Sequence, residues 1–225
     1  MNLRLSKSKV LEFEQCPHRY KLMQIDKAIK VTQNEAMQRG GEIHDLAEEL
    51  HKNPSEDYQA KIDRIKQHKY YDKHNIAVKR LVAFDLKRGI PKIINTEEKI
   101  YDDDLNITGI YDRVDTENNK LILWDYKTGK AHPINKFRFE LALYTYLYEK
   151  THKQKIDFWG IYFIDQNIQE LEPRKETEII KTIEKVNRTR QEIRKRIESG
   201  KWEKIPSYLC RWCPVFLEGK CDGEN

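Results

Sequence analysis

The chain has 225 residues, 38% of them hydrophobic and 35% charged, with a formal charge of +5. That length suits one domain with a sizeable core and a cleft beside it, and it leaves little room for two. The apolar content and twelve tyrosines argue against disorder, no run of about 18 apolar residues exists to span a membrane, and Met1 to Lys7 lacks the apolar core of a signal peptide, so a single cytoplasmic domain over residues 1–225 is expected.

Apolar Ile43, Leu46, Ala47 and Leu50 fall at helical spacing between Asn34 and Leu50, which puts His44 on an early helix. A second helical region over Ser55 to Lys87 is ended by Gly89-Ile90-Pro91. Three β-like runs follow: Ile93 to Tyr101, Asn106 to Val114 and Leu121 to Tyr126, the last two joined by a polar turn at Thr116 to Asn119. Helical spacing returns over Ile134 to Lys150 through Phe137, Leu141, Tyr144 and Tyr148. Phe158 to Ile164 reads as a buried strand. A long charged helix comes next, with Ile179, Ile180, Ile183, Val186, Ile193 and Ile197 as its apolar stripe, and Ser207 to Asn225 is a short aromatic tail. The class is α/β: a mostly helical part over 1–90, an α/β core over 91–200, and a cysteine-bearing tail over 201–225.

The richest window is Leu121-Ile122-Leu123-Trp124-Asp125-Tyr126-Lys127-Thr128-Gly129. Strand side chains alternate, so Asp125 and Lys127 leave on the same side, about 7 Å apart along the strand. As a plain ion pair at a strand end they would add little stability. Metal-assisted phosphodiester hydrolysis is a better use: a carboxylate holds the cation, and the lysine orients a water or screens charge on the phosphate. Gly109-Ile110-Tyr111-Asp112-Arg113-Val114-Asp115 on the preceding run offers two further carboxylates, Asp112 and Asp115, and Asp112 can meet Asp125 across the hairpin. One or two carboxylates per ion suit Mg²⁺. A solvated turn is the plainer reading of the Asp-x-x-Asp element.

Gly-Ile-Tyr-Asp-Arg-Val-Asp followed by Trp-Asp-Tyr-Lys-Thr-Gly resembles the core signature of RecB-like nucleases in the PD-(D/E)XK superfamily. Arg39-Gly40-Gly41-Glu42-Ile43-His44 is similar to the helix that brings a histidine to the metal in that family. The resemblance implies a restriction-endonuclease-like core with a central mixed sheet flanked by helices. It also implies His44, Asp112, Asp125 and Tyr126 at a Mg²⁺ or Mn²⁺ ion, and Lys127 as the catalytic lysine with Asp112 and Asp125. Phe139-Glu140-Leu141-Ala142-Leu143-Tyr144 looks like the family's glutamine-leading motif, with Glu140 where the glutamine is usual and Tyr144 four residues on along the same face. By that likeness Glu140 and Tyr144 join the catalytic set.

Cys16, Cys210, Cys213 and Cys221 form a one-plus-three set containing a Cys-x-x-Cys chelating pair. Four thiolates suit Zn²⁺ or an iron–sulfur cluster. Leu5 to Pro17 and the closing Cys-x-x-Cys-Pro resemble the iron–sulfur branch of the RecB-like family, which includes AddB nuclease domains and CRISPR-associated fourth-type nucleases. A [4Fe-4S] cluster on these four cysteines is what the resemblance implies, Zn²⁺ being the alternative. The tail would then close on Cys16.

The expectation from the whole sequence is a metal-dependent DNA exonuclease working on single strands or DNA ends in recombination, repair or CRISPR adaptation. It would act beside a separate helicase, recombinase or integrase chain, since no phosphate-binding loop appears. A second reading is a catalytically silent DNA-end-binding or assembly subunit. A zinc-stabilised RNA-binding protein would need aromatic stacking motifs that are absent. The run Lys185 to Arg196 is the basic face offered to DNA, a solvated charged face being the plainer alternative.

Overall fold

Ser6, Asn34 and Asp57 each cap a helix, their side-chain oxygens accepting from main-chain N–H groups at Lys9, Met37 and Gln59; such residues favour helix starts because they satisfy donors the helix itself cannot. The computed structural model describes residues 4–29, 34–53 and 55–223. Met1–Leu3 of the opening segment and Glu224–Asn225 of the tail lie outside the described residues. The chain folds as two compact units: one made of 1–32, 102–108 and 180–225, the other of 33–101 and 109–179.

The larger unit contains α3 (Glu35–His51), α4 (Tyr58–Ile65), α5 (Tyr71–Lys87), α6 (Arg138–His152) and most of one five-stranded sheet. Its strands are β1 (Lys92–Asp102), β2 (Ile107–Glu117), β3 (Lys120–Lys127), β4 (Phe158–Phe163) and β5 (Ile168–Pro173), lying in that order across the sheet. β2 and β3 are antiparallel, as are β4 and β5, while β3 and β4 are parallel. Parallel neighbours require a long crossover, and α6 supplies it. The sheet is therefore mixed, as expected. The region read as helical over Ser55 to Lys87 is two helices, and the β2–β3 turn falls on Asn118 and Asn119, both at positive φ.

β3 is buried on both faces, which its near-continuous apolar run requires. Ile122, Trp124 and Tyr126 form a core with Ile43, Leu46 and Leu50 of α3 and Leu81 and Phe84 of α5. Trp124 lies opposite Gly160, and a Cβ there would come within 2.3 Å of the indole. The flat face of β4 at this point is what lets the indole lie down. Beneath the indole runs a buried ionic cluster: Arg113 pairs with Asp85 at 2.7 Å and Asp115 at 2.8 Å, and Arg88 also takes Asp115 at 2.8 Å.

The smaller unit contains α1 (Lys7–Gln15), α2 (Pro17–Tyr20) with a π-helical turn over Lys21–Ile25, most of α7 (Glu176–Ser199) and the short α8 (Pro214–Leu217). Phe13 meets Tyr20 edge-on, and Tyr20 stacks with Trp202. The stripe expected on α7 is corrected in part. Ile179, Val186 and Ile193 are buried, but Ile180 and Ile197 are exposed, and Thr182 and Thr189 complete the buried face. Those five positions step by three and four, which keeps them on one face of the helix. Among the described residues no helix is long and apolar enough to cross a membrane.

Candidate active site

The β2–β3 ladder runs from Glu117 paired with Lys120 to Arg113 paired with Trp124. One step further, the Tyr126 N–H donates to the Asp112 carboxylate at 2.5 Å. The Asp112 side chain thus replaces a strand carbonyl at the point where the two strands part. His44, projecting from α3, places Nδ1 3.3 Å from Asp112 Oδ1 and 3.5 Å from Glu97 Oε1. The ligand atoms of His44, Glu97 and Asp112 all lie within 4.8 Å of one another, and they are the one such group among the described residues.

Glu97 was not singled out from the sequence. It lies inside β1 with φ of 47°, a left-handed conformation that costs a non-glycine residue on the order of 1–3 kcal/mol and gathers at functional sites. The kink interrupts strand alternation, so face assignment by counting fails here. Its Oε1 is buried and makes no hydrogen bond of close geometry, with the His44 ring at 3.5 Å, a placement that suits a cation.

Asp125 and Lys127 leave β3 together, with Lys127 Nζ 2.5 Å from Asp125 Oδ2 and 3.2 Å from Glu140 Oε2. Glu140 is on α6, and the Tyr144 hydroxyl donates to its Oε1 at 3.4 Å. Gly109 allows this approach, because a Cβ there would stand 2.9 Å from the Tyr144 ring. The residue pair read from helical spacing does share one face, and that face looks onto Lys127.

Electrostatics here follow from crowding carboxylates in a buried place. Burial and neighbouring Glu140 push the Asp125 carboxyl well above its usual range, against the pull of Lys127. Burial alone would depress Lys127, yet Asp125 and Glu140 outweigh it and hold the ammonium charged. Likewise, burial would lower His44, but Asp112 and Glu97 raise it to about 11. Burial raises Glu97 despite the histidine beside it. The site is short of positive charge, and protons on His44 and Lys127 make up part of the deficit.

Two residues read from the sequence stand elsewhere. Asp115, offered beside Asp112 as a possible ligand, is buried with Arg88 and Arg113 and accepts from the Trp124 indole. Three residues along a strand is an odd number of steps, which puts the two aspartates on opposite faces. The Tyr126 phenol also faces away, within 3.2 Å of Arg113 Nη1. Its main-chain N–H points at Asp112, and in an extended residue the carbonyl leaves on the same side as the N–H. The carbonyl is therefore the atom of Tyr126 that faces the acidic group.

In the smaller unit, all four cysteines line one pocket together with His18, Lys204 and Phe216. Cys16 accepts from the Arg19 N–H and Cys210 from the Ser207 N–H. Cys16 and Cys213 both occupy N-cap positions followed by proline. No three of the thiols, all among the described residues, come within 4.8 Å of one another.

The model of the PD-(D/E)XK nuclease superfamily matches residues 4–216. The chain belongs to the PD-(D/E)XK nuclease superfamily. No curated protein sequence matches it. A crystal structure named "Putative exonuclease", from Eubacterium rectale, is similar in fold: 11% identity, 94% of this chain and 87% of that one covered, TM-score 0.59. SSO0001, another solved structure, covers 98% of this chain and 86% of its own at 13% identity with a TM-score of 0.47. Nuclease membership and the mixed α/β core expected from the sequence stand together.

Proposed function

We propose that the protein is a divalent-metal-dependent deoxyribonuclease, an exonuclease of single strands or DNA ends, whose centre is built by His44, Glu97, Asp112 and Asp125 with Lys127, Glu140 and Tyr144. The observation that carries this reading is the His44–Glu97–Asp112 group, whose ligand atoms lie within 4.8 Å of one another, next to the Asp125–Lys127 pair. His44, Glu97, Asp112 and Asp125, with the Tyr126 carbonyl, would hold one Mg²⁺ or Mn²⁺. When bound, the cation supplies the charge that acidifies a water and draws a phosphate oxygen inward.

The protein's own groups do the rest. Lys127, kept charged between Asp125 and Glu140, points its ammonium to where charge grows on the phosphate. Glu140 holds Lys127 from α6, and the Tyr144 hydroxyl steadies Glu140. Burial of Asp125, 3% exposed, and of Asp112, 8% exposed, keeps bulk water from competing. DNA fits a chain with a charge of +5, and the last turns of α7 expose Arg188, Arg194 and Lys195.

The four cysteines would hold a structural [4Fe-4S] cluster. All four line one pocket, and a set of four thiolates suits such a cluster. Work in recombination, repair or CRISPR adaptation beside a helicase, recombinase or integrase chain is the setting that suits such an enzyme.

The experiment is direct. DNA labelled at either end, single- or double-stranded, is incubated with the purified protein and Mg²⁺ or Mn²⁺. A ladder shortening from one end of single strands is expected, and no cleavage of any substrate in either metal overturns the reading. Anaerobically purified protein should be brown; a colourless, folded protein with one zinc decides against the cluster.

A further inference from the structure

The segment that follows Lys127 is pinned by side chains where a neighbouring strand would otherwise hold it. The Gly129 N–H donates to Asp165 Oδ2 at 2.6 Å, the Ala131 N–H to Gln166 Oε1, and the Ile134 N–H to Glu170 Oε2 at 2.8 Å. All three acceptors come from the turn between β4 and β5 and the start of β5. The first of them has a second partner. Arg39 grips Asp165 at two points, Nη1 to Oδ2 at 2.9 Å and Nη2 to Oδ1 at 2.5 Å.

Arg39 is on α3, five residues before His44, a little over one helical turn. Gly129 stands two residues beyond Lys127. Asp165 is itself held from behind, since Arg80 Nη1 donates to its main-chain oxygen at 2.6 Å. One carboxylate outside the His44–Glu97–Asp112 group therefore joins the element that carries His44 to the one that carries Lys127. A partly exposed ion pair adds little to global stability. Its two-point geometry nonetheless fixes direction as well as distance, and Arg39 draws the Asp165 carboxyl below its usual range, so it stays ionised.

We propose that Asp165 is a positioning residue of the nuclease site, setting the place of His44 relative to Lys127; this rests on the nuclease reading above. Without the carboxylate, the first turns of α3 and the exit of β3 lose their common anchor. Displacements of about 1 Å in such arrangements cost on the order of a hundredfold in rate.

The test uses the full chain, with Asp165→Ala, Asp165→Asn, Arg39→Gln and, as a control, His44→Ala. Mn²⁺ binding is followed by the electron paramagnetic resonance signal of free Mn²⁺, alongside melting temperature and steady-state cleavage of labelled single strands. Asp165→Ala is expected to weaken Mn²⁺ binding about tenfold and lower kcat about a hundredfold. KM for DNA should change less than about threefold, with melting kept within about 4 °C. Asp165→Asn retains an acceptor for Gly129 and should fall between Asp165→Ala and the wild type, as should Arg39→Gln. Those two variants carry the test if Asp165→Ala does not fold. Wild-type Mn²⁺ affinity and kcat in a folded Asp165 variant overturn the proposal, as does a loss that only tracks the unfolded fraction. If His44→Ala loses Mn²⁺ while Asp165→Ala keeps it, the positioning role fails and the nuclease reading stands. If His44→Ala binds Mn²⁺ like the wild type, the reading of the site fails, and the proposal with it.

Discussion

His44 Nδ1 stands 3.3 Å from Asp112 Oδ1, the spacing of an imidazolium beside a carboxylate, with Glu97 Oε1 at 3.5 Å on its other side. With its pKa raised by Asp112 and Glu97, the ring keeps a proton where the proposed cation would bind. The ring can accept a metal only after giving that proton up, which ties metal affinity to pH.

The direction follows from the raised His44 pKa of about 11. Below that value the neutral, ligating ring is the minor form, and its share grows about tenfold for each unit of rising pH. Apparent Mn²⁺ affinity should therefore increase between pH 6 and 9, by up to about tenfold per unit. His44→Gln removes the competing proton and should flatten the slope while weakening the affinity. Isothermal titration in buffers of different ionisation enthalpy would count the protons released. A pH-independent affinity in the wild-type protein would show that His44 is not displaced from its proton.

Asp125 and Lys127 make opposite predictions for stability. The Asp125 carboxyl is raised by burial and by Glu140, so its charge works against folding. Asp125→Asn should leave the metal-free protein as stable as the wild type or more so, while cleavage falls at least about a hundredfold. Lys127→Met takes away the ammonium that stands between Asp125 and Glu140. It should also abolish cleavage, but with a lower melting temperature, because two buried carboxylates then face each other. Thermal unfolding without metal, paired with the end-labelled assay, reads both effects.

Much of this centre was legible because it obeys simple periods. Two-residue alternation put Asp125 and Lys127 on one side, and four-residue spacing put Glu140 under Tyr144. Glu97 was hidden by its positive φ, which breaks the alternation that would have assigned its face, and the neighbouring Glu98 offered the same chemistry. Asp115 was proposed on residue type although the strand period sends it to the face opposite Asp112. β5 went unread because Ile168–Pro173 is an exposed, largely polar edge strand without an apolar alternation. On α7, apolar content points to Ile180 and Ile197, whereas the helix period buries Thr182 and Thr189.

The corrected α7 face can be tested by two substitutions of the same chemistry. Ile193 is 4% exposed and Ile197 44% exposed. Ile193→Ala should cost about 2–5 kcal/mol through lost burial and the cavity left behind. Ile197→Ala should change stability by less than about 0.5 kcal/mol, as surface substitutions do. Urea unfolding of the two variants would expose an error in the stripe, since equal costs would place both residues in the core.

The ionic cluster under Trp124 gives the sharpest stability test. Arg113 is fully buried between Asp85 at 2.7 Å and Asp115 at 2.8 Å, while Arg88 also draws on Asp115. His51 Nε2 stands 2.8 Å from Asp85, and burial, then Arg113, lowers its pKa. The two guanidiniums share three carboxylates, since Arg88 also takes Glu117 at 3.0 Å. Asp85→Asn leaves Arg113 with only the Asp115 carboxylate that it shares with Arg88, and breaking a buried pair this way costs about 3–5 kcal/mol. The pH dependence has a definite sign. Burial alone would raise the Asp85 carboxyl, but Arg113 and His51 outweigh it and hold its pKa below the usual value. A depressed carboxylate contributes stability that is present above its unfolded pKa, near 3.9, and is lost as pH falls below that toward the folded value. Wild-type stability should therefore drop below about pH 4, and in Asp85→Asn that acid limb should be shallower, starting from a lower plateau at neutral pH. An acid limb of unchanged steepness in the variant would mean that Asp85 is not among the groups that titrate there, and that Arg113 finds its neutralising charge elsewhere.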